Sequence, residues 1–98
     1  MRFEVLTPLG FTVRTSESYW QRLIIKHSDI ETLENLVEQA LATPDEVRRS
    51  SRDVGVLLFY LARNQQRWVV AVARSLNGDE FLITAHQTDA EGEMIWRK

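Results

Sequence analysis

The chain has 98 residues, of which 44% are hydrophobic and 27% charged, with a formal net charge of −2. That is enough for one domain with a modest core; the lack of cysteine rules out a disulfide framework and any cysteine-held zinc. No window approaches the roughly 20 apolar residues of a membrane span, and the first residues lack the apolar core of a secretory leader, so a cytoplasmic protein that binds no membrane is expected.

Phe3 to Leu6 and Phe11 to Arg14 are short extended runs around Thr7-Pro8-Leu9-Gly10, which reads as a turn. They predict a small N-terminal hairpin. A helix is expected from Ser16, with Trp20, Leu23, Ile24 and His27 at helical spacing on one face. Ser28-Asp29-Ile30-Glu31 matches a capping box, with Ser28 as N-cap and Glu31 three residues on. It predicts a second helix with Ile30, Leu33, Val37, Ala40 and Leu41 inward, ended at Thr43-Pro44, since the residue before proline is pushed out of helical geometry.

Beyond Pro44 the pattern turns to strands. Val47 to Ser50 reads as a short edge strand, and Val54 to Arg63 is an apolar run rich in aromatic and branched residues. Asn64-Gln65-Gln66 reads as a loop, and Arg67 to Leu76 as a strand whose stretch Trp68 to Ala73 is a continuous buried run. Asn77-Gly78 is a hairpin signal, because both residue types tolerate positive φ. In the strand that follows, simple alternation places Phe81, Ile83 and Ala85 on one face and Leu82, Thr84, His86 and Thr88 on the other. A loop over 89–93 and a last strand at Met94-Ile95-Trp96 complete the chain. The predicted fold is α+β: one domain over residues 1–98, with two N-terminal helices on a curved antiparallel sheet of four to five strands, preceded by the hairpin.

Charge is unevenly spread. Asp29 to Glu46 contains six acids and neither Lys nor Arg, whereas Val47 to Arg74 contains six arginines and the single acid Asp53. The planar guanidinium matches phosphate geometry, so this arginine-rich segment is a candidate anion patch. It is equally a solvated face that pairs internally with the acidic helix.

Several landmarks occur in a characteristic order. They are Trp20, Ile24 and His27; Pro44, Val47, Arg48 and Ser50; Phe59-Tyr60; Gly78; Thr84-Ala85-His86 with Thr88-Asp89; and Gly92 with Ile95-Trp96. In this order, over about residues 16–96, the chain resembles the phage and bacterial nuclease-like domains grouped with barnase, EndoU, colicin-type tRNases and RelE. The resemblance implies a small metal-independent ribonuclease acting on RNA without a cofactor, as a toxin or effector module with an antitoxin or inhibitor protein as partner. One departure is His86, where the family usually carries tyrosine.

Metal-independent RNA cleavage needs a base for the 2′-hydroxyl, an acid for the departing 5′-oxygen and cations for the phosphate. Imidazole suits either proton-transfer role, titrating at about 6.5 when unperturbed. The chain offers two histidines, His27 and His86, with Tyr60 and Thr84 as hydroxyl partners. Arg48, Arg63 and Ser50 are the candidate phosphate ligands, Arg48 and Ser50 sharing a face if their segment is extended. Two histidines without further spaced ligands are a poor metal signal, and no metal is expected. The alternative is a non-catalytic module on the same scaffold that recognises a protein or an anionic ligand. In that case His27 packs at its helix end, Tyr60 is a core aromatic and Arg49 and Arg52 are solvated.

Overall fold

In the computed structural model, the described residues are 1–63, 67–76, 78–88 and 93–97. The chain begins with a hairpin of β1 (Phe3–Leu6) and β2 (Thr12–Thr15). Its turn is held by Thr7, whose hydroxyl donates to the Phe11 carbonyl at 2.8 Å, and by Gly10 at φ +93°. α1 (Glu17–Lys26) follows, capped by Ser16, whose Oγ accepts from the Tyr19 N–H at 3.1 Å. A 3-10 segment (Ser28–Leu33) leads into α2 (Glu34–Ala42). Five strands complete the fold: β3 (Glu46–Arg49), β4 (Val56–Ala62), β5 (Trp68–Leu76), β6 (Asp79–Thr88) and β7 (Glu93–Arg97).

The α+β class is as expected, but three details are not. The described strands form one seven-stranded sheet, in the order β1-β2-β6-β5-β4-β3-β7. The hairpin is part of it, docked through a parallel pairing of β2 with β6 at Arg14 and Phe81, so the sheet is mixed rather than antiparallel. As expected, the helices follow the hairpin and precede β3–β7; because the hairpin belongs to the sheet, they fall between its strands in the chain. β3 is flanked by β4 and β7 and is no edge. In the third difference the capping box fails. Ser28 opens a 3-10 segment, in which the Ile30 N–H donates to the His27 carbonyl at 3.0 Å, and α2 starts six residues later. Ile30 is fully buried, and docking it outweighs the local preference for a longer helix.

Both helices pack on one face of the sheet. Trp20, Leu23, Ile30, Val37 and Leu41 meet Val13, Val47, Phe59, Val69, Ala71, Leu82 and Ala85 there. Phe3 sits edge-on to Trp20, with ring centres 5.7 Å apart. The opposite face carries a smaller cluster of Leu58, Tyr60, Val70 and Val72, flanked by Val56, Trp68 and Ile83. β4 and β5 feed both clusters, which explains their continuous apolar runs.

β6 departs from simple alternation. Val72 faces Thr84 while Ala73 faces Leu82, so Ile83 is an extra residue in a bulge. Ile83 accordingly packs with the smaller cluster and does not share a face with Ala85, while Leu82, expected beside Thr84 and His86, packs in the helix-side core with Ala85. A similar shift in β7 leaves Ile95 without an opposing residue on β3. Gly78 has φ +89°, as the turn between β5 and β6 requires. The loop expected at 64–66, residues 89–92 of the loop expected at 89–93, Asn77, and the side chains of Thr88 and Trp96 lie outside the described residues, while Glu93, expected in that loop, already belongs to β7.

Candidate functional site

Cross-strand register fixes which candidates share a face. One row crosses the sheet through Glu46, Tyr60, Val70 and His86, and the next through Arg48, Leu58, Val72 and Thr84. Arg48, Tyr60, Thr84 and His86 thus belong to the face turned away from the helices. They are separated by intervening strands, about 10 Å from Tyr60 to His86 at normal strand spacing. Ser50 continues past β3, its N–H donating to the Val56 carbonyl at 2.9 Å while its Oγ accepts from the Arg52 N–H at 3.1 Å.

Tyr60 has no exposed surface; its ring meets Trp68 edge-on at 5.6 Å and lies under the Arg48 guanidinium at 5.7 Å. Arg48 donates through Nε to Glu46, a carboxylate only 5% exposed that also meets Arg97 at 3.5 Å. Arg63 stands on the helix side. Its Nη1 donates to Gln87 Oε1 at 2.8 Å, and Gln87 Nε2 donates in turn to Asp29 at 3.0 Å. Arg74 pairs with Asp53 at 2.8 Å. The Gly55 N–H, and then Arg74, hold the Asp53 carboxyl below its ordinary value. Much of the arginine-rich segment is therefore engaged in the scaffold.

His27 lies elsewhere, at the C-cap of α1, where its backbone N–H donates to the Leu23 carbonyl at 2.9 Å. It lines a cavity of about 370 Å³ with Tyr19, Arg22, Lys26, Ile83 and Thr84. Thr84 is thus the meeting point of the two groups: it shares this cavity with His27 and a strand face with His86. His86 is not among the residues lining the cavity. The Thr84 Oγ1 is buried without a hydrogen-bond partner.

The cavity exists because Tyr19, Arg22, Leu23 and Lys26 follow one another at helical spacing on α1. Leu23 anchors that face in the core, and the Tyr19 hydroxyl donates to the Ile83 carbonyl at the bulge. The Arg22 guanidinium stacks over the Tyr19 ring at 5.6 Å. Among the described residues no carboxylate lines the cavity, and neither Arg22 nor Lys26 makes an ion pair. These two cations were missing from the site read out of the sequence. Their signal was the four-residue spacing, with Tyr19 one turn earlier.

A second cavity of about 470 Å³ adjoins the first through Tyr19, which lines both. Its other walls include Met1, Arg14, Thr15, Phe81 and Leu82. Phe81 is 40% exposed, and the buried Thr15 Oγ1 lacks a partner. Among the described residues no group of three or more His, Asp or Glu is placed to hold a metal ion, and no helix is long and apolar enough to cross a membrane. Comparison with family models, with curated proteins and with solved structures gives no match to this chain.

Proposed function

We propose that the chain is a metal-independent endoribonuclease domain of the barnase–EndoU–colicin–RelE kind, acting on RNA as a toxin held in check by an inhibitor protein. The observation that carries this reading is the α1–β6 cleft. It combines an imidazole (His27), a hydroxyl (Thr84) and two cations (Arg22, Lys26) in one cavity that, among the described residues, no carboxylate lines. In this mechanism an imidazole takes the proton of the 2′-hydroxyl, whose oxygen attacks the adjacent phosphorus. The bond to the 5′-oxygen breaks, and that oxygen leaves with a proton from the second acid–base group. His27, in the cavity wall, takes one role, and His86, next to Thr84 on its strand face but not among the residues lining the cavity, takes the other. Arg22 and Lys26 offset the charge on the phosphate, and Thr84 Oγ1 donates to one of its oxygens. Tyr60 on β4 and Arg48 on β3 support the same sheet face two and three strands from β6, Arg63 ties the helix layer to the end of β6 through Gln87, and Ser50 holds the turn after β3.

Incubation of the purified protein with RNA in EDTA tests this. Cleavage leaving 2′,3′-cyclic phosphate ends is expected, and it should be lost in both His27→Ala and His86→Ala. A folded protein that leaves RNA intact with any inhibitor removed would overturn the proposal. A second reading has its own support. The pairing of Arg48 with Glu46 and of Arg74 with Asp53 leaves less free charge than the sequence suggests. That favours a non-catalytic module that holds an anionic ligand in the same cleft.

A further inference from the structure

The two cavities that share Tyr19 differ in chemistry. One is walled by Arg22, Lys26 and His27; the other is mainly apolar, with Phe81 and Leu82. Two of the three buried side-chain polar atoms without a partner among the described residues belong to their walls, Thr15 Oγ1 and Thr84 Oγ1. Buried hydroxyls normally find partners, so one orphan at each cavity marks where a ligand's polar atoms belong. Phe81 and Thr84 stand opposite Arg74 and Val72, two ladder positions and so about 7 Å apart along the strand. Successive parts of one nucleotide strand span such a distance.

We propose that the Phe81 cavity is a nucleobase subsite, filled by a base of the same strand whose phosphate sits against Arg22 and Lys26. This rests on the cleft being a phosphate site, but not on cleavage. Phe81 offers the aromatic face for stacking, since every base has a π-face and an exposed phenyl ring accepts it with little sequence preference. Arg14 is paired with Phe81 in the β2–β6 register and stands at the rim, where its guanidinium meets the backbone of the strand. Thr15, in the wall, offers its hydroxyl to a base edge. The strand then crosses Tyr19, with the base on one side and the phosphate on the other. Tyr19 holds both cavities at a fixed separation through its bond to the Ile83 carbonyl.

Calorimetric titration with inorganic phosphate and with each of the four nucleoside 3′-monophosphates tests the inference on the intact chain. Nucleotides should bind about tenfold more tightly than phosphate, the gain expected from one stacked base. Phe81→Leu should erase that gain while leaving phosphate binding unchanged, and Phe81→Trp should restore it. Arg22→Gln with Lys26→Gln should weaken both ligands alike. Equal affinity for nucleotides and phosphate, or a gain that survives Phe81→Leu, would overturn the base subsite. RNA cleavage is measured in parallel. Cleavage with no nucleotide preference sinks the subsite alone, whereas a Phe81-dependent preference without cleavage sustains the subsite and sinks the nuclease.

Discussion

The arginines of β3–β5 and the cations of α1 make an instructive contrast. In sequence the first group is dense and the second consists of two unremarked residues. In the fold the ranking reverses. Arg48 is committed to Glu46, Arg74 to Asp53 and Arg63 to Gln87, whereas Arg22 and Lys26 line a cavity to which no described carboxylate belongs. A guanidinium that offsets an internal carboxylate contributes to folding and has less to give a ligand. What decides availability is the acids brought alongside by the fold, which a running count of charge does not show.

The largest expected effect separates the cleft from the scaffold. His27→Ala should lower kcat/KM for RNA by at least about 100-fold, the usual contribution of one acid–base group. Circular dichroism and the urea midpoint should change little, since the C-cap bond comes from its backbone N–H. Unchanged cleavage would remove His27 from the chemistry. The next effect concerns Arg48. Arg48→Ala leaves buried Glu46 with, among the described residues, the longer contact to Arg97, and should cost about 2 kcal/mol of stability by urea unfolding. Adding Glu46→Gln should return part of that loss. RNA affinity should hold; a fall in affinity without a fall in stability would place Arg48 at the phosphate after all.

Tyr19→Phe sharpens the contrast from the cleft side. It keeps the ring under Arg22 but deletes the bond to the Ile83 carbonyl, and should cost about 1 kcal/mol. Exchange of amide protons along the end of α1 should quicken with it. The smallest effect lies with Asp53. Its carboxyl is held below the ordinary 3.8 by the Gly55 N–H and then by Arg74. A depressed folded value stabilises above the unfolded value and is lost as pH falls through the folded one. Asp53→Asn should therefore flatten the loss of urea resistance below about pH 4, leaving that near neutrality to report the lost pairing with Arg74.

What was legible in the sequence follows the range of the interactions involved. The Ser16 cap, the stop at Thr43-Pro44, the Gly10 and Gly78 turns and the apolar β4 and β5 depend on near neighbours, and all were readable. The parallel docking of β2 on β6 joins residues far apart in the chain, and no local pattern announces it. The Ser28 capping box was misread because the fate of that turn is set by the burial of Ile30. Thr84 and His86 were placed on one strand face correctly, yet Ile83 was not, since strict alternation has no place for an unopposed residue. Of the site, single residues could be named from type and spacing. That His27 and Thr84 line one cavity and that Tyr60 has no exposed surface depend on how layers stack.

Ile83 is the one residue in the middle of β6 that a regular ladder would omit. Removing it would bring Leu82 and Thr84 into adjacent positions and leave each on the face it already occupies. The sheet itself would not need repair. What would go is the carbonyl that receives the Tyr19 hydroxyl, and with it the tether between α1 and the strand. A deletion at this point should then yield a protein that folds and keeps its sheet but whose first helix is free to drift. The surplus residue works as an adjustable spacer, setting how wide the gap between helix and strand stands open.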